Sequence, residues 1–167
     1  MSLKQLWGNA CWYLFHTLAY KLKEGEEHLI PNILQNIKNV CRNLPCPDCS
    51  EHAIKTLSHL RCDLIRRRED LIEVLRQFHN SVNKRIKEPQ FSREEHDIKY
   101  ESAVFDKIVA NFLHVMSLNF PSNERAMIYT MQRKRMLNDV ASFINQNRIA
   151  FATLSPCVVG GTDFHSA

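Results

Sequence analysis

The chain is poor in glycine and contains no long apolar run. Its 167 residues include only Gly8, Gly25, Gly160 and Gly161, so none lies between residues 26 and 159. That scarcity disfavours a Gly-rich phosphate loop and a β architecture with many tight turns. No apolar stretch approaches the ~20 residues of a membrane span. The opening residues Met1-Ser2-Leu3-Lys4-Gln5-Leu6-Trp7 have neither the basic region nor the apolar core of a secretory leader. Charge of one sign is also in short supply. The 22 Lys and Arg against 18 Asp and Glu leave a formal charge of +4, which points to no nucleic-acid partner. The length suits one domain, or a small domain with an extension, with enough chain for a core. The expectation is a soluble, compact and mostly helical protein.

Helical periodicity is plentiful. Ile30, Ile33, Leu34, Ile37, Val40, Cys41 and Leu44 recur at the spacing of one helix face, with Pro31 tolerated in the first turn. Leu71, Leu75, Phe78, Val82 and Ile86 form a second stripe, ended by Glu88-Pro89. Residues 3–22 are apolar around much of their circumference, as befits a helix enclosed by others. A fourth helix is predicted from Cys46-Pro47 to about Leu60. Four helices in the first 90 residues, joined by short links, make a small bundle. Ser92-Arg-Glu-Glu-His-Asp97 reads as a charged connector to helical patterns at 102–118 and 123–147. Within the latter, Arg133-Lys134-Arg135 is expected on a solvated face. The tail from Leu154, with Pro156, Cys157, Gly160 and Gly161, is expected to be flexible.

Six cysteines occur, at 11, 41, 46, 49, 62 and 157. Cys46-Pro-Asp-Cys49 is the informative pair. At a helix N-terminus, unsatisfied amides and the positive end of the dipole favour the Cys46 thiolate. Pro47 stiffens that geometry, and the chemistry suits thiol–disulfide exchange. The same pair also serves zinc, joined by two of Cys41, His52, His59 or Cys62, and structural cysteines are a third reading. Cys11 and Cys41 fall on apolar faces and are expected to be buried and unreactive. His79 and Asn83 lie one turn apart, with Asn80 beside them, off the Leu71–Val82 stripe. Trp7, Trp12, Tyr13, Phe15, His16 and Tyr20 crowd the first helix; Tyr13 and Phe15 are assigned to core packing. Apolar walls with a few convergent polar groups are what a flat heterocyclic ligand requires.

Three segments carry a family resemblance. Gly8-x-x-x-Trp12-x-x-x-His16-x-x-Ala19, Leu44-Pro-Cys46-Pro-Asp-Cys49-Ser-Glu-His52 and Phe78-His79-Asn80-x-Val82-Asn83-Lys84 with Pro89-x-Phe91 occur in order. Together they resemble the Erv/ALR family of FAD-dependent sulfhydryl oxidases, including the small members encoded by large DNA viruses. The resemblance covers residues 5–92. It implies an all-α fold: a four-helix bundle plus a short fifth helix binding FAD, over residues 1–95. Beyond it come a helical extension of no assigned role over 96–153 and the tail 154–167.

The resemblance further implies that Gly8, Trp12, His16 and Tyr20 line one side of the FAD. His79, Asn80, Val82, Asn83 and Lys84 would hold it from the later helix, with His52 nearby. Cys49 would face the flavin and Cys46 would exchange with incoming thiols, so no metal is expected. Electrons would pass from protein dithiols, or from a thioredoxin-like relay protein, through Cys46–Cys49 and FAD to O2, giving H2O2. A homodimer is implied as well. Arg76 and Arg93 stand where many members carry a structural disulfide. Glu88 replaces a common lysine, and Tyr100 is the candidate for an aromatic that covers the flavin. Cys157 is a candidate shuttle thiol, pairing with Cys46 or Cys62. The viral flavour of the cysteine motif favours host cytoplasm or virion, with the mitochondrial intermembrane space as alternative.

Overall fold

The computed structural model describes residues 1–120 and 126–151, with the backbone alone at 126 and 127. Among them are seven α-helices and no strand: α1 (Leu3–Lys21), α2 (Ile30–Arg42), α3 (Pro47–His59), α4 (Arg68–Ile86), α5 (Arg93–Glu101), α6 (Phe105–Ser117) and α7 (Ala126–Gln146). None is long and apolar enough to cross a membrane. Cys157, its proposed pairing, and the whole tail 154–167 lie outside the described residues.

Helix α1 is the axis of the molecule, packed by α2, α4, α5 and α6. Its start is fixed by a capping box, in which the Ser2 hydroxyl accepts the Gln5 N–H at 3.1 Å while the Gln5 side chain accepts the Ser2 N–H at 2.9 Å. Cys11, Leu14, Phe15, His16, Thr17, Leu18 and Ala19 are all buried, which spans every side of a 3.6-residue turn. Helix α2 buries the predicted stripe from Ile30 to Cys41 and carries Pro31 in its first turn. Helix α4 is buried more widely than its Leu71–Phe78 stripe. Ile72, His79 and Asn83 are also covered, whereas Ile86 is half exposed.

Three expectations are corrected. The segment after Phe91 is a helix rather than a connector: Ser92 caps α5, its hydroxyl accepting the Glu95 N–H at 3.2 Å, and Glu95 returns the bond to the Ser92 N–H at 2.8 Å. Secondly, a division at residue 95 falls inside that helix, and the helices beyond it share the core. Phe105, Phe112, Val115, Met116, Met136, Val140, Ile144 and Phe151 join the same apolar cluster as α1 and α2. The last described residues fold back so that Phe151 stacks on Phe105 at 5.3 Å and the Lys23 N–H donates to the Ala150 carbonyl. Thirdly, Arg133 is buried, its guanidinium 5.0 Å from the Phe120 ring centroid, while Lys134 and Arg135 are solvated. A planar, weakly hydrated guanidinium stacks readily on an aromatic face.

Where the family's structural disulfide would stand, charge links the elements. The Arg93 guanidinium bridges Glu69 of α4 at 2.8 Å and Asp97 at 2.7 Å, and Arg76 donates to the Phe91 carbonyl at 2.9 Å. Phe112, fully buried between α6 and α1, tests the unity of the core. Phe112→Ala is expected to lower stability of the whole chain by about 3–5 kcal/mol. A urea melt monitored by far-UV circular dichroism should show one transition at a lower midpoint. A second, unshifted transition from the α1–α5 bundle would show that the extension folds apart.

Candidate functional site

Pro47 shapes the cysteine pair. A residue before proline is driven out of the helical region, and Cys46, preceding Pro47, is extended at φ −118°, ψ 108°. That is the conformation of an N-cap, and Cys46 serves as one: its Sγ accepts the Cys49 backbone N–H at 3.2 Å. Pro47 occupies the first helical position, where no N–H is needed. The two thiols, with Cα atoms 5.2 Å apart, are joined as a disulfide. Both are half-buried. The zinc arrangement is thereby disfavoured, since the pair's sulfurs bond each other. Among the described residues, the group of three or more metal-ligating side chains drawn together is His16, His79 and His96, which includes neither cysteine.

The pair opens on a cleft of about 1310 Å³ between α1, α3, α4 and α5. From the predicted set the cleft gathers Gly8, Trp12, Cys46, Cys49, His52, His79, Val82 and Asn83. A Cβ on Gly8 would meet no protein atom within 4 Å, so this position borders open volume. Trp12 and His79 stack at 3.9 Å with planes 9° apart, making one aromatic wall. Tyr13 and Phe15, assigned to the core, also line the cleft, although Phe15 is almost fully buried. Tyr100 is buried and lines it as well, 5.3 Å from the Tyr13 ring. His52 is held below the ordinary imidazole range by burial, with Arg85 and Lys55 adding to the effect.

Four of the predicted residues lie elsewhere than on the lining. His16 is wholly buried behind it, and Tyr20 sits one turn further along α1. Asn80 clamps a loop: its amide donates to the Phe91 carbonyl and accepts the Phe91 N–H, both at 2.8 Å. Lys84 is exposed. Asn83 donates to the Pro89 carbonyl at 2.8 Å, so both amides shape the Pro89–Phe91 segment.

Two residues were missed from the sequence. Lys99 of α5 lines the cleft with its ammonium 4.7 Å from the Phe91 ring, 5.4 Å from Tyr100 and 5.6 Å from Tyr13. Burial lowers its pKa. His96 is wholly buried, with Nε2 3.1 Å from His16 Nδ1, and His16 Nε2 in turn lies 3.0 Å from His79 Nδ1. The signal for both was the Ser92–Glu95 capping box, which starts a helix whose next turns carry His96, Lys99 and Tyr100. Burial drives all three imidazoles down, His79 to about 3 and His96 to about 4, and mutual repulsion with Lys99 deepens the shift at His16 and His79.

A helical bundle with a dithiol–disulfide pair capping one helix, at the mouth of an aromatic cleft, defines the class of protein. The family model for the Erv1/Alr family matches residues 9–101, and the chain belongs to that family. Over 93 residues it is 31% identical to a protein of Invertebrate iridescent virus 3 named as FAD-linked sulfhydryl oxidase 096R, a match covering 53% of this chain and 61% of that one. Over 51 residues it is 29% identical to a Fowlpox virus protein named as FAD-linked sulfhydryl oxidase FPV093, covering 30% of this chain and 50% of that one. The chain thus spans about half to three-fifths of the length of these relatives. No solved structure matches it.

The buried thiols and imidazoles each set an expected outcome. Burial raises the thiol pKa of Cys11, and that of Cys41 to about 12, so both stay protonated at neutral pH. After mild reduction of the native protein, iodoacetamide is expected to label Cys46 and Cys49 well before Cys11 and Cys41, read by peptide mass mapping. Equal labelling without denaturant would contradict the burial argument. The histidines give a pH dependence. Their pKa values are depressed on folding, so their contribution is present above the ordinary value of 6.5 and is lost as pH falls from there toward 4 and 3. The urea midpoint should therefore decline between pH 7 and 5, before most carboxylates titrate; a flat midpoint would show that these rings protonate freely in the fold.

Proposed function

We propose that this protein is an FAD-linked thiol oxidase that makes disulfides in protein substrates. The observation that carries the proposal is the Cys46–Cys49 disulfide, capping α3 at the mouth of the aromatic cleft. The residues present fit FAD. The cleft exceeds the ~300–1,000 Å³ of a drug-sized pocket, as a dinucleotide requires. Gly8 leaves room at one wall, and Trp12, His79, Tyr100 and Val82 offer flat or apolar surface. Arg85 and Lys99 place positive charge on the lining, suited to a pyrophosphate. His52 and Asn83 contribute polar groups, and Cys49, on the same lining, would be the thiol that reduces the flavin. Asn80 supports the set by fixing Phe91 and His16 by holding His79 from behind, while Tyr20 fixes His96 of α5; Lys84 would reach phosphate from outside.

Exchange begins when a substrate thiolate attacks Cys46 Sγ. The Cys46–Cys49 bond breaks, a substrate–Cys46 disulfide forms and Cys49 leaves as thiolate. A second substrate thiolate attacks the substrate sulfur, forming the product disulfide and releasing Cys46 as thiolate. The α3 amide that caps Cys46 stabilises that leaving group, which speeds its departure. FAD held in the cleft would supply a two-electron acceptor for the reduced pair, with O2 as the final oxidant and H2O2 as the product. Dithiol substrates, a thioredoxin-like relay and a homodimer belong to the same proposal. So does placement in host cytoplasm or virion, supported by the viral origin of both relatives. Disulfide formation in the cytosol needs such a dedicated catalyst.

The test is the visible spectrum of the purified protein before and after anaerobic dithiothreitol. A flavin band is expected that bleaches and returns with air. In Cys49→Ser the band should persist without bleaching, while Cys46→Ser should block turnover on a protein dithiol. A colourless protein would sink the proposal.

A further inference from the structure

The capping amide of α3 serves one sulfur of the pair and leaves the other without a donor. The Cys49 N–H donates to Cys46 Sγ at 3.2 Å, and among the described residues no hydrogen bond reaches Cys49 Sγ. In the disulfide nothing is lost by that. Once the pair is reduced, Cys49 is a half-buried thiol that must ionise to act, because the thiolate is the reactive form. Its place in the first turn of α3 favours the thiolate through the helix dipole. The proton it loses still needs an acceptor in the cleft.

His52 stands where such an acceptor is needed. It follows Cys49 by three residues on α3, a spacing that brings Cβ atoms to about 5–6 Å. Helical side chains lean toward the N-terminus and cover the turn before their own, which here is the turn of Cys49. Both residues line the same cleft. The His52 ring nitrogens have no hydrogen-bond partner among the described residues, whereas His79 and His96 find theirs at His16 and Tyr20. The ring is only half-buried, so a proton that reaches it can leave to water. Burial, Arg85 of α4 and Lys55 one turn on keep the imidazole neutral at pH 7 while the pair is a disulfide. Lys4 of α1, Asp48 of α3, Glu88 beyond α4, and Glu95 and Lys99 of α5 share the lining. Asp48 cannot take the place of His52, since a carboxylate repels a thiolate; it favours an imidazolium instead.

We propose that His52 is the proton acceptor of the inner cysteine: neutral while Cys46 and Cys49 are bonded, and an imidazolium paired with the Cys49 thiolate once they are reduced. The inference rests on the oxidase proposed above for its cycle. Two substrate thiols ionise before their thiolates carry out the exchange, so two protons are set free for each substrate disulfide made. The exchange leaves Cys46 and Cys49 as thiolates. One of the two protons is held on His52 against the Cys49 thiolate, and the other goes to solvent. When the pair's two electrons pass to the oxidant and its disulfide re-forms, both negative charges disappear and His52 gives its proton up. Arg85 and Lys55 favour that release, so the ring holds a proton for as long as the thiolate lasts.

The consequence is a titration linked to the redox state, measurable without turnover. Ring resonances of the histidine-labelled full chain are followed by NMR against pH. With the disulfide intact, His52 should titrate below the ordinary 6.5. Anaerobic dithiothreitol should move its midpoint up by about one to three pH units, the effect of an opposite charge one turn away. In Cys49→Ser treated with dithionite, a bound flavin is reduced without that thiolate, and the midpoint should stay at the lower value. A ring that only contacts the cofactor would titrate alike before and after dithiothreitol, or would move with dithionite in Cys49→Ser; either result overturns the proposal. The reciprocal measurement is iodoacetamide labelling of Cys49 in reduced Cys46→Ser, read by peptide mass mapping across pH. Adding His52→Gln, which keeps a polar side chain but takes up no proton, should carry the labelling profile about one pH unit higher. An unchanged profile in a variant with native circular dichroism would overturn the proposal too, and the wild-type titration decides the matter if the variant does not fold. A colourless wild type whose His52 midpoint still rises on reduction would refute the oxidase and leave the thiolate–imidazolium pair standing.

Discussion

A histidine with no access to water sits at the middle of the central helix, and much of the molecule is arranged around that fact. His16 is enclosed because α1 is packed on every side. An imidazolium there would be desolvated without a counter-ion, so the ring is neutral and both of its nitrogens need partners. One partner comes from α4 as His79 and the other from α5 as His96. The requirement therefore couples three helices, and it does so with groups whose own pKa values must fall in consequence. Trp12 completes the arrangement by stacking on His79, and so turns a structural need of the core into a wall of the cleft.

Helix α5 shows which forces do the holding. It has nine residues and most of them are charged or histidine, so propensity alone would not keep it folded. The Arg93 bridges are half-exposed, and such pairs contribute roughly 0–1 kcal/mol each. Burial of Tyr100 and His96, together with the ring contacts of Lys99, supplies the larger share. A disulfide at the Arg76 and Arg93 positions would be worth on the order of 2–4 kcal/mol. Here packing by α5 against α1, and by α6 against the same helix, takes over that role.

Much of this was legible in the residues. The α2 stripe is buried from Ile30 to Cys41, because a 3.6-residue period leaves little choice of face. The Pro45-Cys46-Pro47 run placed the cap of α3 for a local steric reason, and local reasons survive the absence of tertiary information. Burial of Cys11 and Cys41 came from their neighbours on apolar faces. The features that escaped were non-local. Ser92-Arg-Glu-Glu-His-Asp has no apolar periodicity, and its helix is specified by a capping box and by the surface its inner face meets. Arg133 carries the same lesson, since a basic triplet gives no sign that one member will cover an aromatic ring. Tyr20, His16, Asn80 and Lys84 fit a motif, yet a motif says nothing about which side chains line a cleft and which brace it from behind.

The cap on α3 bears on the direction of electron flow. In the disulfide state Cys46 Sγ accepts the Cys49 amide as a neutral sulfur, a weak bond. Once the pair is reduced, the same amide and the helix dipole act on a thiolate, and the interaction strengthens with the charge. The structure therefore favours the reduced pair relative to an uncapped dithiol and makes the disulfide a stronger oxidant toward incoming thiols. In the oxidase proposed above, that preference opposes the next step, in which the pair would give its electrons up.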